Sequence, residues 1–493
     1  MDRGLMIFFS VILYGVICVL IASRGKSLSS TSEGYFLGGR SFGIIITVTT
    51  VVMGIYSGLT FYGFPSTIMR NGPYPLAATG FGFIGLAYPL IGHKLWKMSI
   101  GKGYITTADF LSDRFESNGY GLLVSILQIV FIVPYMTVQL VAVGNGLSYS
   151  SGGAVGYSVS VLIFAAFLVA YLLIGGAKGT GMMDVFNAAL AIFVPAIAIY
   201  IIVGKNFGGS FSVLGQKAFE NFPTMMDSES FGSAWKPVNV LAQAISGMMA
   251  LFASPHIVSK MFMAKDTKTF QQMTWVGPLF YTILTVPIVL MGIIAVALYK
   301  DVIPAAQADL VVPIMMLDHT NFFIVVGMLM VLFAYAMSTA NGFAMAAATI
   351  FSRDLVGKYG FKNIKDPVEK DKISVKLGKI GVVVLMAITV LVSLTRPAAI
   401  VEYAYKFATP GFAQILPQLL LGMYWKRTSK QGAIAGTSIG LIVLLVTLFI
   451  VKSPLGIHPV IWSLGINFAV TYVVSLVTRP SDSVLERFYG EEA

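Results

Sequence analysis

Long apolar runs separated by short polar segments dominate this 493-residue chain. A helix needs about 20 predominantly apolar residues to cross a bilayer. Runs of roughly that length predict an all-α polytopic membrane protein with about 13 transmembrane helices in a single integral membrane domain, residues 1–493. The predicted spans are 5–23, 42–69, 73–95, 119–146, 154–174, 184–203, 236–260, 274–298, 322–351, 377–395, 398–424, 431–451 and 458–477.

The composition agrees with this pattern and excludes several classes of protein. Hydrophobic residues make up 56% of the chain and charged residues 11%, whereas soluble domains carry about 25% charged residues. Mean hydropathy is +0.82. A water-soluble enzyme, a disordered scaffold and a disulfide-rich secreted domain are therefore disfavoured. The single cysteine, Cys18, lies inside the first apolar run and cannot form an intrachain disulfide.

The net charge of +11 is spread between the apolar runs and does not form one basic face. This distribution argues against nucleic-acid binding and serves better as an orientation signal. With the N-terminus outside and the C-terminus inside, the predicted inner segments hold 24 of the 33 Lys and Arg residues, and the outer segments hold 8. A bias of this size predicts N-out, C-in topology and an odd number of spans.

Two spans carry helix-breaking residues at corresponding places. The second reads IIITVTTVVMGIYSGLTFYGFPSTIM and the seventh LAQAISGMMALFASPHIVSKM, each with a Gly/Ser-rich middle and a downstream Pro. Broken helices in matching positions of two halves point to a transporter site, although Gly and Pro can also serve close helix packing. Because the two lie five spans apart, we predict inverted repeats over 42–203 and 236–424, an extra N-terminal helix at 5–23, and two C-terminal helices within 431–477.

The ninth span contains adjacent hydroxyls, Ser338 and Thr339, followed by Asn341. Hydroxyls and the backbone carbonyls of an unwound neighbouring helix can together supply oxygen ligands to a monovalent cation. The alternative is that both hydroxyls bond back to carbonyls of their own helix, which is common in membranes. The residues alone leave this choice open.

Six segments in order resemble the sodium/solute symporter family, nearest its monocarboxylate and pantothenate branches. They are EGYFLGGRSFG (33–43), YITTADFLSDRF (104–115), GGAKGTGMMDVFN (175–187), SPHIVSKMF (254–262), AMSTANGFAMAAATIFSRDL (336–355) and GMYWKRTSKQGAIAG (422–436). The resemblance implies a LeuT-like five-plus-five inverted repeat. It also implies a multi-pass transporter of the cell (plasma or inner) membrane that is not an enzyme. Such a protein imports a solute with inward-moving Na⁺ by alternating access.

The resemblance further implies a sodium site. Met53, Tyr56 and Tyr335 would contribute backbone oxygens, and Ser338 and Thr339 their hydroxyls. Asp184 matches the carboxylate on the family's cytoplasmic sodium exit route. An acidic residue at a helix start needs no such role, since it interacts favourably with the helix dipole.

The solute is expected to be a small carboxylate. The proline-type branch usually has Asp where this chain has Ile55, whereas VPYMTVQL (133–140) resembles the monocarboxylate branch and DLVVPIMML (309–317) the pantothenate branch. The candidate substrate-binding residues are Ser57, Thr60, Gln139, Gln243 and Ser246. The candidate gate or ion-pair residues are His256 and the pair Glu402 and Lys406, of which the pair is better explained as self-neutralising within its span.

Other functions stay open at this stage. A sodium-coupled symporter for proline, another amino acid or a sugar is one alternative, and a proton-coupled monocarboxylate symporter is another. A channel would need a filter segment and an intramembrane enzyme clustered acids or histidines, and we find neither in the sequence. The expected partners are the solute, sodium and the lipid bilayer, with no nucleic acid and no obligatory protein partner.

Overall fold

The computed structural model describes residues 3–73, 84–227, 237–357, 360, 364, 366–396 and 407–490. Within these ranges the chain is nearly all helical, and the β structure is one isolated bridge between Phe42 and Ala264. This confirms the predicted all-α class.

The helices follow the predicted apolar runs closely. In chain order they are α1 Arg3–Ser23, α2 Ser32–Leu37, α3 Ile44–Ile55, α4 Gly58–Asn71, α5 Ile84–Ala87, α6 His93–Ser99, α7 Thr107–Arg114, α8 Asn118–Ser150, α9 Tyr157–Phe207, α10 Phe211–Asn221, α11 Pro237–Ala253, α12 Pro255–Phe262, α13 Thr267–Tyr299, α14 Val311–His319, α15 Phe322–Thr349, α16 Pro367–Leu394, α17 Thr409–Ala413, α18 Leu416–Tyr424, α19 Lys430–Leu445, α20 Pro459–Val477 and α21 Asp482–Tyr489. Short π-helical stretches, Tyr88–Gly92, Ile350–Gly357 and Val446–Ile450, continue α5, α15 and α19.

Among the described residues, 8 helices are long and apolar enough to cross a membrane, or 9 if the bent pair α3 and α4 is one span. Residues 74–83 of the third predicted span and 398–406 of the eleventh lie outside the described ranges. The count of thirteen spans, the orientation of the termini and the repeat boundaries therefore stay predictions.

The fifth and sixth predicted spans both lie in α9, as two helical segments that meet at Gly176 without an intervening loop. The chain turns at Gly176, whose φ of 53° and ψ of −156° depart from helical values inside an otherwise helical run. Only glycine adopts this conformation readily, because it has no Cβ. Gly176 alone therefore separates the two helical segments where the sequence predicted a loop.

Helix α15 is the most enclosed part of the described fold. Every residue from 331 to 350 is buried, and the helix packs against α3, α8, α9 and α16. Alanines and glycine at 334, 336, 340, 342 and 344 keep its surface small, which lets neighbouring helices approach closely. Polar side chains on this helix therefore face protein rather than lipid.

The start of the first broken helix and the end of the second are bonded to each other. Phe42 donates its N–H to the Met263 carbonyl at 3.1 Å, and Lys265 donates to the Phe42 carbonyl at 3.1 Å. The Arg40 guanidinium donates to the nearby Phe262 carbonyl at 3.2 Å and to the Tyr104 carbonyl at 2.9 Å. These bonds hold α3 and α12 together at one end of the molecule.

Replacing Gly176 with Ala should destabilise the fold. The new Cβ would lie 2.9 Å from the Tyr35 carbonyl oxygen and would force a side chain into a positive φ, at a cost of about 1–3 kcal/mol. We expect a lower Tm in thermal unfolding of the detergent-solubilised protein. Gly204→Ala in the same helix is the control, since its Cβ would meet no atom within 4 Å; equal Tm values for the two variants would contradict the argument.

Candidate ion and solute site

The first broken helix is interrupted at two residues in the middle of its span. Helix α3 ends at Ile55, and Tyr56 and Ser57 are both extended, with ψ of 131° and 165°, before α4 begins. The axes of the two halves differ by 51°. The break falls within the Gly54–Gly58 stretch that the sequence predicted.

Side chains take over the backbone groups that the break exposes. The Ser57 N–H donates to Thr60 Oγ1 at 3.3 Å, and the Gly58 N–H donates to Gln139 Oε1 on α8 at 3.0 Å. Ser57 Oγ in turn accepts from the Thr60 N–H at 3.1 Å, which completes a capping box. These two amides are thus directed away from the carbonyls at the end of α3 and towards side-chain oxygens.

The hydroxyl pair on α15 lies beside this break. Thr339 Oγ1 donates to the Tyr56 carbonyl at 2.6 Å and also lies 3.2 Å from the Tyr335 carbonyl of its own helix. Ser338 Oγ is fully buried without a regular hydrogen bond, although it lies near the Asp184 carboxylate. Back-bonding within α15 therefore accounts for only one of the contacts of Thr339 and for none of Ser338.

The five predicted sodium-binding residues come together in a buried, mostly uncharged region. Each is at most 1% exposed: Met53, Tyr56, Tyr335, Ser338 and Thr339. The Tyr56 ring stacks on Tyr281 with centroids 5.1 Å apart, and Tyr335 packs against it at 5.5 Å. The arrangement provides neutral backbone and hydroxyl oxygens enclosed by aromatic rings.

The predicted substrate groups Ser57, Thr60 and Gln139 also meet, at the N-terminus of α4. Their polar atoms are used for capping, since both hydroxyls and the Gln139 amide oxygen bond to the backbone of the break. The sequence analysis predicted that these residues bind the solute, and it did not predict that they cap α4. A solute group here would have to replace or extend these contacts.

The second broken helix is interrupted later than its Gly/Ser-rich middle suggests. Helix α11 continues through the segment with Gln243 and Ser246 and ends at Ala253. The extended residue is Ser254, and Pro255 begins α12. Proline removes an N–H donor and disfavours a helical residue before it, whereas Gly in a helix costs only about 1 kcal/mol. Gln243 and Ser246 thus lie on an intact helix.

Asp184 and His256 are both buried near the breaks. The Asp184 carboxylate accepts from Thr50 Oγ1 at 2.5 Å and from Asn341 Nδ2 at 3.4 Å, so it lies buried inside the helix bundle. His256 Nδ1 lies 2.7 Å from Ser254 Oγ, and its ring packs on Phe343 at 3.9 Å between centroids. A gating role for His256 stays a prediction.

One further residue at this site was missed by sequence reasoning. From the sequence, Lys260 was assigned to an inner loop. In the structure it lies in α12 and is 3% exposed, and its ammonium donates to the Thr50 carbonyl at 2.5 Å. One signal was available, since His256 and Lys260 are four residues apart and share a helix face. The other predicted gate residues, Glu402 and Lys406, lie outside the described residues.

Comparison with known proteins identifies the family. The model of the sodium:solute symporter family matches residues 35–440. An uncharacterized symporter, YodF of Bacillus subtilis, is 24% identical, covering 98% of this chain and 96% of its own. The osmoregulated proline transporter OpuE of Bacillus subtilis is 24% identical, covering 98% of this chain and 97% of its own. The sodium/pantothenate symporter of Escherichia coli is 23% identical over 93% of each chain.

The fold has a solved counterpart. The structure of a Na⁺-coupled sialic acid symporter, in a substrate-bound outward-open state, superposes with a TM-score of 0.82 at 14% identity, covering 96% of this chain and 98% of that one. This likeness confirms the LeuT-like fold. Together with the family match over most of the chain, it establishes that the chain belongs to the sodium:solute symporter family and is a multi-pass plasma-membrane transporter with sodium as its coupling ion, not an enzyme.

Proposed function

We propose that this protein imports a small organic carboxylate together with sodium by alternating access. Sodium binds between the break of α3 and α4 and the hydroxyls of α15, and the carboxylate binds at the N-terminus of α4. Because both ligands contact the broken helix, each favours the same arrangement of its two halves, which is the condition for coupling. Sodium release then follows a path past Asp184.

The single observation that carries the sodium assignment is the contact between Thr339 and the Tyr56 carbonyl at 2.6 Å. It brings a hydroxyl of α15 to the carbonyl of Tyr56, an extended residue at which the regular helical hydrogen-bond pattern is interrupted. Alkali cations take oxygen ligands of this neutral kind. The buried Ser338 hydroxyl, which makes no regular hydrogen bond, adds a further oxygen at the same level of α15.

The carboxylate assignment is supported by the cap of α4. The Gly58 N–H points to an oxygen acceptor, which Gln139 provides at 3.0 Å. Amides at a helix N-terminus favour anionic oxygen for the same electrostatic reason. A solute carboxylate that enters this position replaces one oxygen acceptor by another with more negative charge.

A sodium-coupled amino-acid symporter is the second candidate, since a proline transporter and a pantothenate symporter are equally distant relatives. Ile55, at the end of α3 and 6% exposed, favours the carboxylate. It offers no side-chain anion to pair with the primary or secondary ammonium group of an amino acid.

Uptake of labelled solutes into proteoliposomes tests the function directly. We expect pyruvate, lactate, acetate or pantothenate, rather than proline, to accumulate with an inward sodium gradient and not when choline replaces sodium at constant pH. Accumulation that is undiminished in choline would contradict sodium coupling. Accumulation of proline alone would contradict the carboxylate.

Removing the two hydroxyls tests the sodium site. Ser338→Ala combined with Thr339→Val should raise the sodium concentration for half-maximal uptake about tenfold or more, since each 1.4 kcal/mol of lost binding is a factor of ten. Sodium titrations of uptake measure this change. Thr389→Val is the control, because Thr389 is a buried threonine that bonds only within α16. A double variant with the sodium dependence of the control would remove the site assignment.

Placing a fixed charge at the cap of α4 tests the carboxylate position. Gln139→Glu keeps an oxygen acceptor for Gly58 but adds a negative charge, which should repel a carboxylate and raise its half-saturating concentration about tenfold. Gln139→Met, without that charge, should have a smaller effect. Competition binding at saturating sodium compares the two variants, and equal losses in both would argue against an anion at this position.

A further inference from the structure

Lys260 is a charged side chain enclosed between the two broken helices. It is 3% exposed, and its ammonium donates to the Thr50 carbonyl on α3 at 2.5 Å. An ammonium has three N–H donors, and this is the one acceptor that it has among the described residues. A buried charge of this kind is costly unless a counter-charge compensates it.

Glycines on two neighbouring helices provide the space for the ammonium. A Cβ built on Gly54 of α3 would lie 2.3 Å from Lys260 Nζ, and a Cβ on Gly342 of α15 would lie 3.3 Å from it. Any larger residue at position 54 would overlap the ammonium. Its position is therefore defined by the first broken helix and by the helix with the hydroxyl pair.

Asp184 is the counter-charge, and Thr50 connects it to the lysine. The Thr50 carbonyl accepts from Lys260, while Thr50 Oγ1 donates to the carboxylate at 2.5 Å. Asp184 and Lys260 are not in direct contact as an ion pair, but their opposite charges attract across the buried space between them. The cluster thus contains one positive and one negative charge.

The oxygens around this position resemble a cation site. They are a backbone carbonyl, a carboxylate and, near the carboxylate, the Ser338 hydroxyl. Oxygen ligands of this type suit a hard cation such as sodium. In this chain an ammonium already supplies the positive charge.

We propose that Lys260 is a tethered cation that fills a second cation position, beside Asp184, and thereby sets the number of sodium ions bound by the protein. Without its charge, the Thr50 carbonyl and the Asp184 carboxylate become ligands for one additional sodium ion. The proposal rests on the sodium coupling described above and adds a determinant of stoichiometry. A lysine that only bonds α12 to α3 is the alternative.

Equilibrium binding of radioactive sodium to the purified full-length protein tests this proposal, at constant pH and without solute. We expect Lys260→Met to bind one more sodium ion per protein than the wild type. Lys260→Met with Asp184→Asn should return to the wild-type number, since the extra ion needs the carboxylate. Lys265→Met, three residues beyond the end of α12 and with a side chain 55% exposed, should leave the number unchanged.

Two results would overturn the proposal. One is a folded Lys260→Met protein that binds the wild-type number of ions. The other is a lower number in Asp184→Asn with Lys260 intact, because sodium would then already use the carboxylate in the wild type. This second variant keeps the test decisive where the Lys260 variant does not fold.

Thr339→Val separates this proposal from the sodium site of the hydroxyl pair. At a sodium concentration that just saturates the wild type, it should lower the bound sodium by the same amount in the wild type and in Lys260→Met, so that the difference of one ion between them persists. If Thr339→Val does not change the number of sodium ions bound by the wild type, the sodium site at the hydroxyl pair is refuted, but the role of Lys260 is not. Loss of the difference between the two backgrounds would refute the role of Lys260.

Discussion

The interruption of a helix inside the membrane is the constraint on which the rest of the site depends. In hydrocarbon every backbone amide and carbonyl must find a partner within the protein. At Tyr56, Ser57 and Gly58 those partners come from Thr339 on α15, from Thr60 and from Gln139 on α8, respectively. The break is thus stable only because three separate helical segments are held around it, and the same segments provide polar groups for a ligand.

The scarcity of charge follows from the same environment. A charged side chain within a span is costly unless it is paired or bonded to backbone oxygen. Asp184 satisfies this condition through Thr50 and Asn341, and Lys260 through the Thr50 carbonyl. Thr50 therefore connects the two buried charges, since its hydroxyl contacts the Asp184 carboxylate and its carbonyl contacts the Lys260 ammonium.

The sequence was sufficient for the all-α class and for the positions of the two helix breaks, whereas the roles of the site residues stay predictions. Hydrophobic run length predicted the long helices, and the Gly and Pro pattern predicted both breaks. The hydroxyl pair was found because adjacent Ser and Thr residues stand out in an apolar helix.

What could not be predicted was contact between distant parts of the chain. Thr50, Asp184 and Lys260 meet across more than a hundred residues, and Lys260 resembled an ordinary loop lysine. The capping box was missed for a different reason, because the hydroxyls of Ser57 and Thr60 suit a bound solute as well as the exposed amides at the start of α4.

The backbone bonds between Phe42 and the segment after α12 have a mechanical consequence. Phe42 bonds to both Met263 and Lys265. Helix α3, the first half of one broken helix, and helix α12, the second half of the other, are therefore joined at one end. The two halves cannot part there without losing paired backbone groups. A movement that keeps these bonds must therefore carry α3 and α12 together as one body.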